Sequence, residues 1–165
     1  MSNRYRGTTL EGNAVEVEVD EERIVAVEEI AADGALPLIA PPLVDLQHNG
    51  AKHLAFNRVH EAPETLETVA RHALRHGVGR LLATITTQAY EDSLESLKAI
   101  DQQLKADPFL ARCYPGIFFE GNYMSAEYGW RGVHPEQFMR DPSWVQWEEL
   151  YKASGQRIVK FNIDP

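Results

Sequence analysis

LIAPPLVDLQHNGAKH (Leu38–His53) decides how the rest of the chain is read. An apolar run breaks at Pro41–Pro42, resumes at Leu43–Val44, and turns polar at Asp45, Gln47, His48 and Asn49 before Gly50. An unbroken apolar strand, as opposed to an alternating one, is the pattern of a parallel strand covered on both faces. The stretch therefore predicts a buried parallel strand that ends in hydrogen-bonding side chains. Residues two apart on a strand share a face, so Gln47 and Asn49 point together and His48 points away.

The residues on either side extend this pattern. APETLETVARHALRHGVG (Ala62–Gly79) predicts a helix, with Pro63 near its first turn, an apolar stripe of Leu66, Val69, Ala70, Ala73 and Leu74, and Gly77 as its stop. RLLATIT (Arg80–Thr86) predicts a second buried strand. EDSLESLKAIDQQLKAD (Glu91–Asp107) predicts a helix with Leu94, Leu97, Ile100 and Leu104 on one face. CYPGIFFEG (Cys113–Gly121) predicts a third strand, PSWVQWEELYKAS (Pro142–Ser154) a third helix and RIVKFNID (Arg157–Asp164) a fourth strand. Strands alternating with helices imply a parallel sheet with right-handed crossovers. Ahead of Pro41 the pattern differs. AVEVEVD (Ala14–Asp20) and RIVAVEEI (Arg23–Ile30) alternate apolar and charged residues about a DEE turn, and AADGALPLIA supplies a turn at Asp33–Gly34 and a further strand. The predicted organisation is a small β segment over residues 1–40, then an α/β unit over 41–165.

Composition narrows the function classes. The 165 residues suffice for one ordinary domain with a real core. A formal net charge of −9, with no basic stripe, argues against a nucleic-acid partner. No apolar stretch approaches the roughly 18 residues of a membrane span, and MSNRYRGTTLEG has no apolar core for a signal peptide. Cys113 is the only cysteine, which rules out an internal disulfide and fits a reducing, cytoplasmic setting.

In parallel α/β folds active groups collect at the carboxyl ends of the strands. Three polar clusters fall there: Gln47 with Asn49, Thr84 with Thr86 and Thr87, and Glu120. For Gln47 and Asn49 the plain alternative is strand-end residues bonding a loop. A carboxylate directly after Phe118–Phe119 must be paired or bound to a cation. His72 and His76 are one helical turn apart, a spacing more often found on a solvated helix face than at a metal. YMSAEYGWRGVHPEQF (Tyr123–Phe138) is a long aromatic-rich loop, and loops of that length in compact domains are functional or disordered. Its Arg131 and His134 are candidates to meet an anionic substrate.

Three of these segments carry a family resemblance. LIAPPLVDLQHNG resembles the first barrel strand of the amidohydrolase superfamily. HGVGRLLATITT is similar to the GVTSFLPT-type strand of its N-acetylglucosamine-6-phosphate deacetylases, and GIFFEGNYMSAEYGWRGVHP to their HLEGPF…KGAH segment. The resemblance implies the N-terminal portion of a (β/α)8 barrel preceded by a small β-sandwich segment, and a metal-dependent deacetylase acting on N-acetylglucosamine 6-phosphate in the complete enzyme. Gln47 and Asn49 match the Gln-x-Asn variant that replaces the usual pair of strand histidines in single-metal members, where they order water or fill the vacated metal position. Glu120 matches the glutamate that binds the retained divalent metal, zinc by its chemistry. Arg131, Val133 and His134 match the substrate-binding KGAH loop. Phe118–Phe119 stands where the family has His-Leu, Asn122 where it has Pro, and Arg131 where it has Lys; these departures bear on the substrate. A complete barrel needs about 250 residues, so the resemblance also implies that later metal-binding histidines and the catalytic aspartate lie outside this chain. Zinc binding by the chain alone is then weak or absent, and self-association is expected. The competing readings are an amidohydrolase of another amide, and a non-catalytic half-barrel that acts as an interaction module or is a remnant.

Overall fold

The structure is a computed structural model that describes residues 2–31 and 34–163. It divides into two compact units, Met1–Pro41 and Pro42–Pro165.

The first unit is an antiparallel meander of β1 (Asn3–Thr8), β2 (Ala14–Asp20) and β3 (Arg23–Glu29) in the order β1-β2-β3. Alternation along β2 buries Val15 and Val17, while Glu16 and Glu18 pair with Arg4 and Arg6 of β1. Glu21 and Glu22 take positive φ (46° and 65°) in the two-residue turn between β2 and β3, the backbone that right-twisted hairpins require. The described strands of this unit form one three-stranded sheet, not the expected sandwich. The strand predicted before Pro41 is reduced to a single parallel bridge between Thr8 and Leu38. Two prolines, Pro37 and Pro41, interrupt ladder donation there. Asp33 of the predicted turn lies outside the described residues.

The second unit is built on β4 (Leu43–His48), β7 (Val78–Thr86), β8 (Gly116–Glu120) and β9 (Ile158–Phe161), all parallel and in the order β4-β7-β8-β9. A short hairpin of β5 (Gly50–Ala51) and β6 (Leu54–Ala55) follows β4. The connecting helices are α1 (Thr65–Leu74), α2 (Tyr90–Ala106) with α3 (Pro108–Cys113), and α4 (Trp144–Ala153). Neighbours in space that are neighbours in sequence are the topology of a singly wound sheet. Leu81, Ala83 and Ile85 of β7 and Ile117 and Phe119 of β8 join Leu66, Val69, Ala70 and Ala73 of α1, Leu97, Ile100 and Leu104 of α2 and Leu150 of α4 in one core. The alternate residues on the opposite side of the sheet, Leu82, Thr84 and Phe118, are buried as well. Lys160 of β9 lies 3.9 Å from the centre of the Phe118 ring.

Two expectations are corrected. β4 is an edge strand, with Leu43, Val44 and Leu46 between 58% and 65% exposed, because it pairs with β7 alone among the described strands. The third core strand starts at Gly116, not Cys113. Asp107 accepts a hydrogen bond from Phe109 N–H (2.8 Å) and, with Pro108 at the first helical position, starts a helix that carries the chain through Cys113.

Candidate functional site at the carboxyl ends of the parallel strands

The end of β4 is shaped by Asp45. One carboxylate oxygen accepts from Gln47 N–H and the other meets His48 Nδ1, both at 2.9 Å, and the pairing with β7 shifts register between Asp45 and His48. Burial works against the charge on Asp45, but the bonds to Gln47 and His48 and the nearby imidazole outweigh it and hold the carboxyl below its usual range. His48 packs against Phe56, ring centres 6.1 Å apart, so it turns toward the core. Gln47 turns the other way and reaches across the sheet. Its Nε2 donates to Glu120 Oε1 at 2.8 Å.

Glu120 closes β8 in register with Thr86 of β7. The end of β7 is clamped by Asn57, which donates to the Thr86 carbonyl (3.0 Å) and accepts from both the Thr86 N–H (2.9 Å) and hydroxyl (3.2 Å). Beyond Glu120 the chain passes hard against this clamp: a Cβ on Gly121 would lie 2.9 Å from Thr87 N. Asn122 then takes φ +67° and is buried. Its amide donates to the carbonyls of Gln88 (2.9 Å) and Phe138 (2.8 Å), and its own carbonyl accepts from Arg140 N–H (2.7 Å). One asparagine thus ties both ends of the long loop to the segment that follows β7. Proline, fixed near φ −65°, cannot take this backbone, so Asn122 sets the course on which the loop leaves β8.

That course brings His134 back to the sheet, its Nδ1 at 2.8 Å from the Thr87 hydroxyl. Gln47, Asn49, Thr86, Thr87, Glu120, Val133, His134 and Pro135 together line a cavity of about 190 Å³. Of the six residues that the family resemblance assigned to the site, Gln47, Asn49, Glu120, Val133 and His134 share it. Arg131 does not: its guanidinium lies 3.3 Å from the His134 carbonyl, 3.6 Å from Glu136 and over the Tyr128 ring, so it braces the loop. Asp45, Asn57 and Thr87 supply the geometry. Asp45 stood inside the decisive stretch and Thr87 inside a polar cluster, but no sequence signal marked Asn57. Among the described residues no group of three or more His, Cys, Asp and Glu is placed to hold a metal ion. The His72 and His76 rings meet at a tilt with centres 4.5 Å apart, and burial and the charge of His76 lower the pKa of His72.

A polar cavity at the carboxyl ends of parallel strands is the place where α/β folds carry their sites. No family model matches the chain. It is 26% identical over 129 residues to the N-acetylgalactosamine-6-phosphate deacetylase of Escherichia coli O157:H7, an alignment covering 78% of this chain and 33% of that protein. Among solved structures it is similar to the N-acetyl-D-glucosamine-6-phosphate deacetylase of Mycobacterium smegmatis, at 23% identity and TM-score 0.78 over the whole of this chain and 44% of that one. A D267A mutant of that enzyme, solved in complex with N-acetyl-D-glucosamine 6-phosphate, gives TM-score 0.77. The Pasteurella multocida enzyme of the same name gives 0.74 at 23% identity, over 98% of this chain and 45% of that one. The resemblance to the N-acetylglucosamine-6-phosphate deacetylases of the amidohydrolase superfamily therefore holds. It holds over part of their length: the chain spans a third of the curated relative and under half of the solved structures.

Proposed function

We propose that this chain supplies the first four strands of a (β/α)8 amidohydrolase barrel whose complete form removes the acetyl group from an N-acetylhexosamine 6-phosphate. The observation that carries the reading is the meeting of Gln47, Glu120 and His134 from three separate segments around one strand-end cavity. The relatives act on the gluco and the galacto sugar by name. The two differ only at one hydroxyl, so the substrate class proposed is the one they share: an acetamido sugar bearing a 6-phosphate.

In this reading Glu120 is the chain's metal ligand, with Gln47 holding one of its oxygens by hydrogen bond and leaving the other for the ion. Gln47 and Asn49 order water beside it, and His134, with Val133, faces the substrate. The described donors do not make a zinc site by themselves. Catalytic zinc takes three good protein ligands, and here one carboxylate stands with two neutral amides. When present, the metal would polarise the amide carbonyl and lower the pKa of a bound water. The chain's own residues orient a carboxylate, position water and offer an imidazole to substrate oxygen. Arg131 acts on substrate only through the loop that it braces.

The test is acetate release from N-acetylglucosamine 6-phosphate and N-acetylgalactosamine 6-phosphate by the product of the intact coding region, supplied with zinc. Turnover that falls by 100-fold or more in Glu120→Gln is expected. Absence of turnover on both sugars overturns the reading in favour of a different amide substrate or a non-catalytic module.

A further inference from the structure

We propose that Thr87 is a positioning residue that fixes His134 in its Nε2–H tautomer, so that the ring presents a neutral N–H donor, not a base, to the strand-end cavity. The role given to the ring rests on the functional reading above; the tautomer rests on the hydrogen-bond arithmetic alone.

The Thr87 hydroxyl has one proton to donate and two lone pairs to accept with. It is buried, at 5% residue exposure. One lone pair is taken by the N–H of Asn122 at 3.2 Å, and that donor is fixed because Asn122 is itself held by three further bonds. Among the described residues the remaining neighbour of the hydroxyl is His134 Nδ1 at 2.8 Å. If Nδ1 carried the proton, the hydroxyl would accept twice, and among the described residues its own proton would have no acceptor, which a buried hydroxyl avoids. With Nδ1 unprotonated, the hydroxyl donates to Nδ1, accepts from Asn122, and every group is satisfied. The ring proton then sits on Nε2.

The position of the ring is fixed as well as its tautomer. His134 N–H donates to the Arg131 carbonyl (3.0 Å), its carbonyl faces the Arg131 guanidinium, and Pro135 follows it on the cavity wall. A ring tied at Nδ1 and at both ends of its backbone cannot swing to offer its other nitrogen. The chemistry that such a donor recognises is an oxygen with a lone pair, whether the carbonyl of an acetamide or a phosphate oxygen. Glu120 and Gln47 line the same cavity as His134.

The experiment is long-range ¹H–¹⁵N correlation of histidine side chains in the ¹⁵N-labelled 165-residue chain at neutral pH, with His134→Gln used to assign the ring. The expected pattern has Nδ1 as the unprotonated nitrogen and Nε2 as the protonated one. Thr87→Val, which keeps the shape and removes the hydroxyl, is expected to lose the single pattern and give mixed tautomers; Thr87→Ser is expected to restore it. An Nδ1–H pattern in the native chain overturns the proposal, as does an unchanged pattern in a folded Thr87→Val. If the valine variant does not fold, the native pattern decides alone. An Nε2–H ring in a protein that releases no acetate leaves this inference standing and removes the functional reading; an Nδ1–H ring in an active deacetylase does the reverse. Oxygen sources are separated by adding inorganic phosphate and acetamide in turn and following the Nε2 proton, which moves only with the ligand that it contacts.

Discussion

Glu120 has one oxygen already committed to Gln47, which decides what the residue does when metal is offered. A carboxylate and two amides bind zinc poorly because the amide carbonyls carry no charge. The isolated chain is therefore expected to retain well under one equivalent of zinc after dialysis, measured by atomic absorption. Tight stoichiometric binding that Glu120→Ala alone abolishes would show that the ligand set has been misjudged. Asp101 is a second residue with a checkable charge. Burial disfavours its ionised form, but bonds from Lys105 (2.5 Å) and Arg157 (3.0 Å) prevail and lower its pKa. The folded pKa lies below the unfolded one, so the contribution to stability is complete above the unfolded value of about 4 and is lost as pH falls through the folded one. Asp101→Asn is expected to cost about 1.5–3 kcal/mol at pH 7 in urea unfolding, since charged hydrogen bonds are worth that much, and the difference from wild type should shrink below pH 4. The sequence showed Gln47, Asn49, Glu120 and His134 because their types and strand-end positions carry the chemistry. It did not show Asn57 as the partner of Thr86, because that contact joins residues 29 apart through a backbone clamp with no spacing rule behind it.

At the scale of elements, period decided what was legible. The three longer helices carry the i, i+3, i+4 stripe and fall within a few residues of where the stripe places them. Strand β7 is an apolar run and is buried on both faces as such a run implies. β4 has the same apolar character and a different fate, because burial depends on how many neighbours a strand has, and no residue of β4 encodes that number. α3 was missed because six residues are too few for periodicity; the Asp107–Pro108 cap is its only signal. That cap is testable. Asp107→Ala is expected to cost about 1 kcal/mol and to leave the cavity residues in place, read as unchanged amide shifts for Gln47 and Glu120. The junction between β8 and the loop is less forgiving. At Gly121 an added Cβ meets the backbone nitrogen of Thr87 at 2.9 Å, and neither the nitrogen nor the strand end that carries it can move without breaking the Asn57 clamp. Gly121→Ala is expected to destabilise by about 1–3 kcal/mol and to release His134 from Thr87, seen as a change in its ring nitrogens.

Among the described strands of the sheet, β4 and β9 stand at the margins and each pairs on one side only. β4 presents Leu43, Val44 and Leu46 at one side, and β9 with its extension presents Val159, Phe161 and Ile163 at the other, each between 46% and 65% exposed. An exposed apolar edge strand carries unpaired backbone groups that template pairing with another chain. Apolar side chains in such a row add a patch of the sort that drives association. No charged side chain of β4 guards its edge apart from Asp45, whose carboxylate is spent on Gln47 and His48. The 165-residue chain in isolation is thus expected to self-associate, with a mass by light scattering that rises with concentration, and to show no turnover on either sugar phosphate. A lysine placed on the edge should oppose this through charge repulsion between copies and leave the site untouched. Val44→Lys, three residues before Gln47 and 58% exposed in the native chain, is expected to shift the mass toward the monomer with thermal stability little changed. A monomeric native chain that unfolds cooperatively would show instead that the two margins are tolerated in water. Turnover by that monomer would be the graver result, because the base and the metal site would then have to be built from residues that the structure places in helices and loops.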